Sequence, residues 1–131
     1  MKLFVYGTLC LGESNHHVLE GATRYSEKAS IHAVLYDTGC GYPAVELSES
    51  SSSVIGEIYE VPDHLWPALD ELEGYSGNSE TDLYNKVTVI AKMGLEEIET
   101  VVYTICDESM KKKIIHSGDW IKYRKTIQQQ K

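Results

Sequence analysis

Four runs rich in β-branched and aromatic residues constrain this chain more than any other feature. They cover residues 31–36, 54–61, 84–92 and 96–105. Such side chains fit a pleated surface better than a helix. In Val87-Thr88-Val89 and Thr100-Val101-Val102-Tyr103-Thr104-Ile105 the two-residue alternation is partial, as expected of a sheet covered on both faces. Lys92-Met93-Gly94-Leu95 reads as the tip of a hairpin joining the last two runs. The serine-rich stretch 46–53 reads as a polar hairpin loop. Sequential strands with short turns predict a small, mainly antiparallel sheet able to curl into a barrel.

Three short helices complete an α+β class. Ser14 is a candidate cap for a helix through Leu19, closed by Gly21, and Ser117 or Asp119 for a C-terminal helix carrying Trp120, Ile121 and Tyr123. The third covers residues 63–73 and ends at Gly74, a candidate left-handed cap. Pro67 blurs its start: the helix begins near Trp66, or Pro67 sits at the edge of the first turn.

At 131 residues the chain has room for one domain, 1–131, with a real core. Its net charge of −8 argues against nucleic acid. The basic run Lys111-Lys112-Lys113 is flanked by Asp107 and Glu108 and reads as a solvated face. Three widely spaced cysteines, Cys10, Cys40 and Cys106, form no CxxC pair, so neither a disulfide framework nor a zinc site is indicated. No stretch has the apolar length of a signal peptide or membrane span, and a reducing cytoplasm is the expected location. Nine tyrosines stand against one phenylalanine. Tyrosine keeps a polar tip, so the excess points to partly wet surfaces or a cavity.

Two segments carry candidate chemistry. In Tyr6-Gly7-Thr8-Leu9, directly after the apolar run Leu3-Phe4-Val5, Gly7 lets backbone N–H groups approach a ligand closely. A plain glycine turn is the alternative. In the helix 63–73, Leu65, Ala68, Leu69 and Leu72 form one apolar stripe at helical spacing. At about 100° per residue, Glu73 lies about 90° from the stripe's centre, Glu71 about 110° and Asp70 about 150°. Glu73 is thus the acid nearest the buried face, and it sits in the last turn, where the helix dipole disfavours an anion. Burial and dipole both push its pKa upward, as proton-shuttling chemistry wants. The other reading is an exposed helix-end glutamate.

Together these segments resemble the γ-glutamylcyclotransferase-like family. The resemblance runs from Tyr6-Gly7-Thr8-Leu9 and Gly12-Glu13-Ser14-Asn15-His16-His17 through Gly41-Tyr42-Pro43-Ala44, residues 54–61 and Leu69-Asp70-Glu71-Leu72-Glu73-Gly74-Tyr75. It continues through residues 84–89 and Val102-Tyr103 to Ser117-Gly118-Asp119-Trp120. The resemblance implies a small mixed barrel with flanking helices and a cavity at one mouth. It also implies release of 5-oxoproline from a γ-glutamyl amine or γ-glutamyl amino acid, through attack of the substrate's α-amine on its own γ-amide. Glu73 is then the general base and acid. The backbone of Tyr6, Gly7, Thr8 and Leu9 holds the γ-glutamyl group. Tyr103 hydrogen-bonds substrate or Glu73, or is a plain sheet tyrosine. Lys86 stands where many relatives carry arginine, which bears on any ion pair needing a planar fork. The scheme needs no metal or organic cofactor, and its partner is a small molecule.

Two other readings stand beside this one. The first is a non-catalytic binding module using the same pocket. The second is a thiol hydrolase built on Cys10 with His16 or His17, although no orienting third group is evident. His16 and His17 point to different helical faces and make a poor metal pair.

Overall fold

The computed structural model describes residues 1–78 and 80–129. Five strands form a closed barrel: β1 (Lys2–Val5), β2 (Thr23–Asp37), β4 (Ser53–Glu60), β5 (Tyr84–Met93) and β6 (Glu96–Ile105), with order β2-β4-β1-β6-β5. Pairing of Ser30 with Lys92 returns β5 to β2 and closes the ring. β1 and β6 run parallel through Leu3 and Val101, while the remaining barrel pairs are antiparallel. The mixed, mainly antiparallel barrel expected from the sequence is therefore present. Two further strands, β3 (Pro43–Leu47) and β7 (Lys113–Ile114), pair with the far end of β2.

The strands lie close to where composition put them, with two differences. β2 has 15 residues, reaching well upstream of Ile31 over Ser26, Glu27 and Lys28. Its ladder with β4 shifts register between Arg24 and Ser26 and between Ser26 and Ala29, and such irregularities bend a strand around a barrel. The serine-rich stretch is not a hairpin loop. The strands on either side of it, β3 and β4, both pair with β2: β3 with residues 33–37, β4 with residues 23–32. The tip at Gly94-Leu95 is a hairpin, with Met93 opposite Glu96 and Gly94 at φ 64°.

Alternation along β1 divides the core in two. Phe4 joins Ile31, Val54, Ile58, Ala91 and Val102 inside the barrel. Leu3 and Val5 face outward with Tyr59, Val101 and Tyr103, under helix α1 (Trp66–Glu73). Trp120, the first residue of α2 (Trp120–Gln129), packs with the interior cluster. Asp119 caps α2 by accepting from the Lys122 N–H at 3.2 Å. The expected helix 63–73 is two pieces, a 3₁₀ turn at Asp63–Leu65 and α1 proper, with Pro67 in the first turn. The helix expected from Ser14 is one 3₁₀ turn, His16–Leu19, preceded by Asn15 with no side-chain cap. No helix among the described residues is long and apolar enough to cross a membrane.

Candidate active site

The apolar stripe drawn on α1 from sequence does not face the barrel. Ala68 is exposed and Leu72 is 39% exposed, whereas Trp66 and Leu69 are buried. With Trp66 and Leu69 defining the inward direction, Glu73 lies about 10° from its middle and Asp70 about 70°. Glu73 therefore belongs to the buried face itself rather than to its margin. The helix stops directly after it. Gly74 takes the left-handed conformation at φ 66°, its N–H bonds the Glu71 carbonyl, and the Tyr75 N–H bonds the Asp70 carbonyl at 2.9 Å. This pair of bonds is the Schellman termination. A side chain at Gly74 would also press on Leu83.

The loop beyond is tied by one carboxylate. Asp82 accepts from the Ser76, Gly77 and Asn78 N–H groups at 2.8–3.1 Å and from the Ser76 hydroxyl at 2.7 Å. Those bonds hold its pKa below the ordinary carboxylate value. The knot ties residues 76–78 to Asp82, two positions before Tyr84, the first residue of β5.

Glu73 faces a cavity of about 360 Å³. Its other walls are the segment 6–9 after β1, Gly41-Tyr42-Pro43 between β2 and β3, and Leu83, Tyr84 and Tyr103. All six residues singled out from sequence (Tyr6, Gly7, Thr8, Leu9, Glu73 and Tyr103) line it. Sequence reasoning missed Tyr42, Pro43, Leu83 and Tyr84. The tyrosine excess was their signal, because four of the nine tyrosines stand here.

Burial raises the Glu73 pKa from 4.5 to about 7. Its carboxyl has no hydrogen-bond partner among the described residues. The surrounding hydroxyls are committed elsewhere: Tyr6 donates to the Tyr103 carbonyl and Tyr84 to the Pro43 carbonyl, both at 2.7 Å. Burial first, and then neighbouring charges including Glu73, push both hydroxyls upward, so they stay protonated at neutral pH.

Tyr103 does not bond Glu73. Its hydroxyl donates to Asp70 Oδ1 at 2.7 Å. Lys86 Nζ meets both oxygens of the same carboxylate at 3.1 and 3.2 Å, and lies 4.5 Å from the Trp66 ring centroid and 5.5 Å from that of Tyr75. Lysine thus serves this acid as a point charge without a planar fork. Asp70, placed far from the buried face by the sequence wheel, is only partly exposed and anchors α1 to β5 and β6.

The 6–9 segment is held at its far side. The Cys10 N–H bonds the Gly7 carbonyl at 3.0 Å, Asn15 donates to Thr8 through its backbone N–H and its side chain, and the Leu11 N–H bonds Glu57 at 3.1 Å. Among the described residues the N–H groups of Gly7, Thr8 and Leu9 find no acceptor. Gly7 is needed for a reason the sequence did not show: a Cβ there would lie 2.6 Å from Pro43 Cγ. The Thr8 hydroxyl accepts from Asn15, so it braces the loop.

Cys10 lies outside the cavity lining. Its sulfur is 3.6 Å from the Val5 carbonyl oxygen, and burial raises its pKa, the opposite of an activated thiol. His16 bonds the Leu9 carbonyl through Nδ1 at 2.9 Å and packs on Tyr59.

Known proteins resemble this chain in sequence and in fold. Residues 3–122 match the model of the family described as γ-glutamyl cyclotransferase, AIG2-like. The γ-L-glutamyl-butirosin B γ-glutamyl cyclotransferase of Niallia circulans is 46% identical over 87 residues, which are 66% of this chain and 54% of that protein. The chain thus corresponds to about half the length of that relative. The crystal structure of YkqA from Bacillus subtilis superposes with a TM-score of 0.77 at 28% identity, covering 99% of this chain and 42% of that one. An AIG2-like protein from mouse gives 0.74 at 22% identity over 91% of this chain and 86% of that one, a likeness of fold. With the barrel, the loop after β1 and a half-buried glutamate at the end of α1 already in hand, the match over residues 3–122 makes this chain a member of the γ-glutamyl cyclotransferase, AIG2-like family.

Proposed function

We infer that the protein is a γ-glutamyl cyclotransferase, releasing 5-oxoproline and an amine from a small γ-glutamyl compound. One observation carries the reading: a carboxyl with a pKa of about 7 shares a cavity with three N–H groups that have no protein acceptor. A base and acid near neutrality and a cradle for negative charge are the two things this reaction needs.

The chemistry follows from those groups. Ionised Glu73 takes a proton from the substrate's α-ammonium, and the freed amine attacks the γ-carbonyl carbon. Negative charge moves to the carbonyl oxygen. Protonated Glu73 gives its proton to the amide nitrogen on the far side, and that C–N bond breaks as the carbonyl re-forms. The second proton on the new ring nitrogen leaves through the same carboxylate to the departing amine. No water is consumed. Because the attack is intramolecular, holding the glutamyl chain folded supplies much of the acceleration. The N–H groups of Gly7, Thr8 and Leu9 hold the anionic end of that chain, and the buried tyrosines shape the space around it.

Incubation with a panel of γ-glutamyl amines and amino acids, read as 5-oxoproline, tests the reading. Release that falls by roughly 10²–10⁴ in Glu73→Gln supports it. Release unchanged in that variant removes Glu73 from the mechanism. No release from any member, with tight binding of 5-oxoproline, identifies a binding module.

A further inference from the structure

The cradle of open N–H groups is only as well placed as the chain behind it, and that chain is gripped from the far end of the sequence. What this does for the substrate rests on the cyclotransferase reading. After Leu9 the chain turns back on itself. Gly12 takes the left-handed region at φ 83°, and the Glu13 N–H closes the turn on the Cys10 carbonyl at 3.0 Å. Two residues on, Asn15 holds Thr8 twice, its N–H on the Thr8 carbonyl at 2.8 Å and its Nδ2 on the Thr8 hydroxyl at 3.0 Å. Ser14 and Asn15 line the cavity beside Thr8. Where residues 13–15 stand therefore decides where the N–H groups of Gly7, Thr8 and Leu9 point.

Glu13 is the anchor of that stretch. Its side chain is 8% exposed and meets Arg124 of α2, 111 positions away in the chain. Arg124 Nε donates to Oε1 at 3.0 Å and Nη2 to Oε2 at 2.7 Å. A planar fork on both oxygens fixes orientation as well as distance. Exposed ion pairs contribute little, but this carboxylate is out of water. Without the guanidinium it would have to turn back to solvent and take residues 13–15 with it. The helix itself is held by other means. Trp120 is buried in the interior cluster, Tyr123 donates to Asp37 Oδ2 at 2.7 Å, and the Gly118 carbonyl just before α2 accepts from the Ile55 N–H at 2.8 Å. The loop is thus the partner that depends on the fork. Neither Glu13 nor Arg124 lines the cavity, so any effect on substrate passes through Asn15 and Thr8.

We propose that Arg124, acting through Glu13, is a positioning residue for the γ-glutamyl cradle, so that the C-terminal helix sets the geometry that receives the substrate's anionic end. It touches no reacting atom. Its contribution is to binding shared by substrate and transition state, and the proton transfer at Glu73 does not depend on it.

Steady-state kinetics on the γ-glutamyl panel, with calorimetric titration of 5-oxoproline, test this on the full chain. Arg124→Met should raise KM by about tenfold with kcat within about twofold, and should weaken 5-oxoproline by a similar factor. Glu13→Met should do the same. The double variant should be no worse than either single, because the two residues act as one clamp. It leaves no buried unpaired charge, so it carries the test alone if the singles fold poorly. Tyr123→Phe is the control: it removes another anchor of α2, the bond to Asp37, and should leave KM within about twofold. An unchanged KM in folded Arg124→Met, or in the double variant, would overturn the proposal. So would a KM raised as much by Tyr123→Phe, or single effects that multiply in the double. Wild-type protein that binds 5-oxoproline but releases it from no compound would sink the cyclotransferase reading, and the variants' 5-oxoproline affinities would still decide the clamp. Wild-type protein that neither releases nor binds it would overturn both.

Discussion

Replacing Glu73 with glutamine should make the protein more stable while stopping its chemistry, and the gain should depend on pH in a way set by burial. The carboxyl titrates near 4.5 in an unfolded chain and at about 7 in the fold. A group whose folded pKa is the higher one favours folding while protonated. That contribution is complete below pH 4.5 and is lost as pH rises through about 7. Integrating between those values, the ionised carboxylate costs the fold about 3 kcal/mol at pH 8 and under about 1 kcal/mol at pH 5. Water at the cavity mouth lowers the pH-dependent part to about 2 kcal/mol. Glutamine has nearly the same shape and no charge. Glu73→Gln should therefore raise Tm at pH 8 by roughly 5–10 °C relative to wild type, with most of that advantage gone at pH 5. Thermal or urea unfolding of both proteins at the two pH values gives the comparison, and 5-oxoproline release at pH 8 supplies the activity. A stability gain of equal size at pH 5 and pH 8 would refute the reasoning, because it would show that the carboxylate loses no hydration in the cavity.

Further outcomes concern the groups that hold the site. For wild type, kcat/KM should rise with pH through about 7, as the base form of Glu73 appears; a flat profile across pH 6–8 would show that another group sets the rate. Lys86→Met leaves Asp70 with Tyr103 alone and should cost about 1–3 kcal/mol in urea unfolding, with Lys86→Arg recovering most of it. Gly7→Ala places a methyl within 2.8 Å of two Pro43 ring carbons, which predicts a loss of about 1–3 kcal/mol and a raised KM as the loop shifts. Asp82→Ala frees the Ser76, Gly77 and Asn78 amides and should speed proteolytic nicking between Gly74 and Leu83 well before global unfolding.

Much of the scaffold was legible because its determinants are local. Stiff and aromatic residues set the strands at 54–61, 84–92 and 96–105, and a two-residue tip with Gly94 joined the last pair. Gly74 marked the end of α1 because a left-handed residue there suits glycine best. β3 escaped notice because Pro43-Ala44-Val45-Glu46-Leu47 is short, opens on proline and runs straight into the serine stretch. The serine loop was misread because polarity marks a turn without saying which strands it joins.

The sequence by itself determined the class of fold, the glycine segment after β1 and the presence of an acid at the end of a short helix. Tertiary structure decided which face of that helix turned inward. An eight-residue helix with leucines on one side and tryptophan on the other has two plausible inner faces, and only packing under β1 and β6 chose Trp66, Leu69 and Glu73. Packing likewise gave Tyr103 to Asp70 instead of Glu73, and set Pro43 against Gly7 across 36 positions of chain. Periodicity fixes angles within an element but not their origin; desolvation, which lifts Glu73 to about 7, depends on what lies opposite.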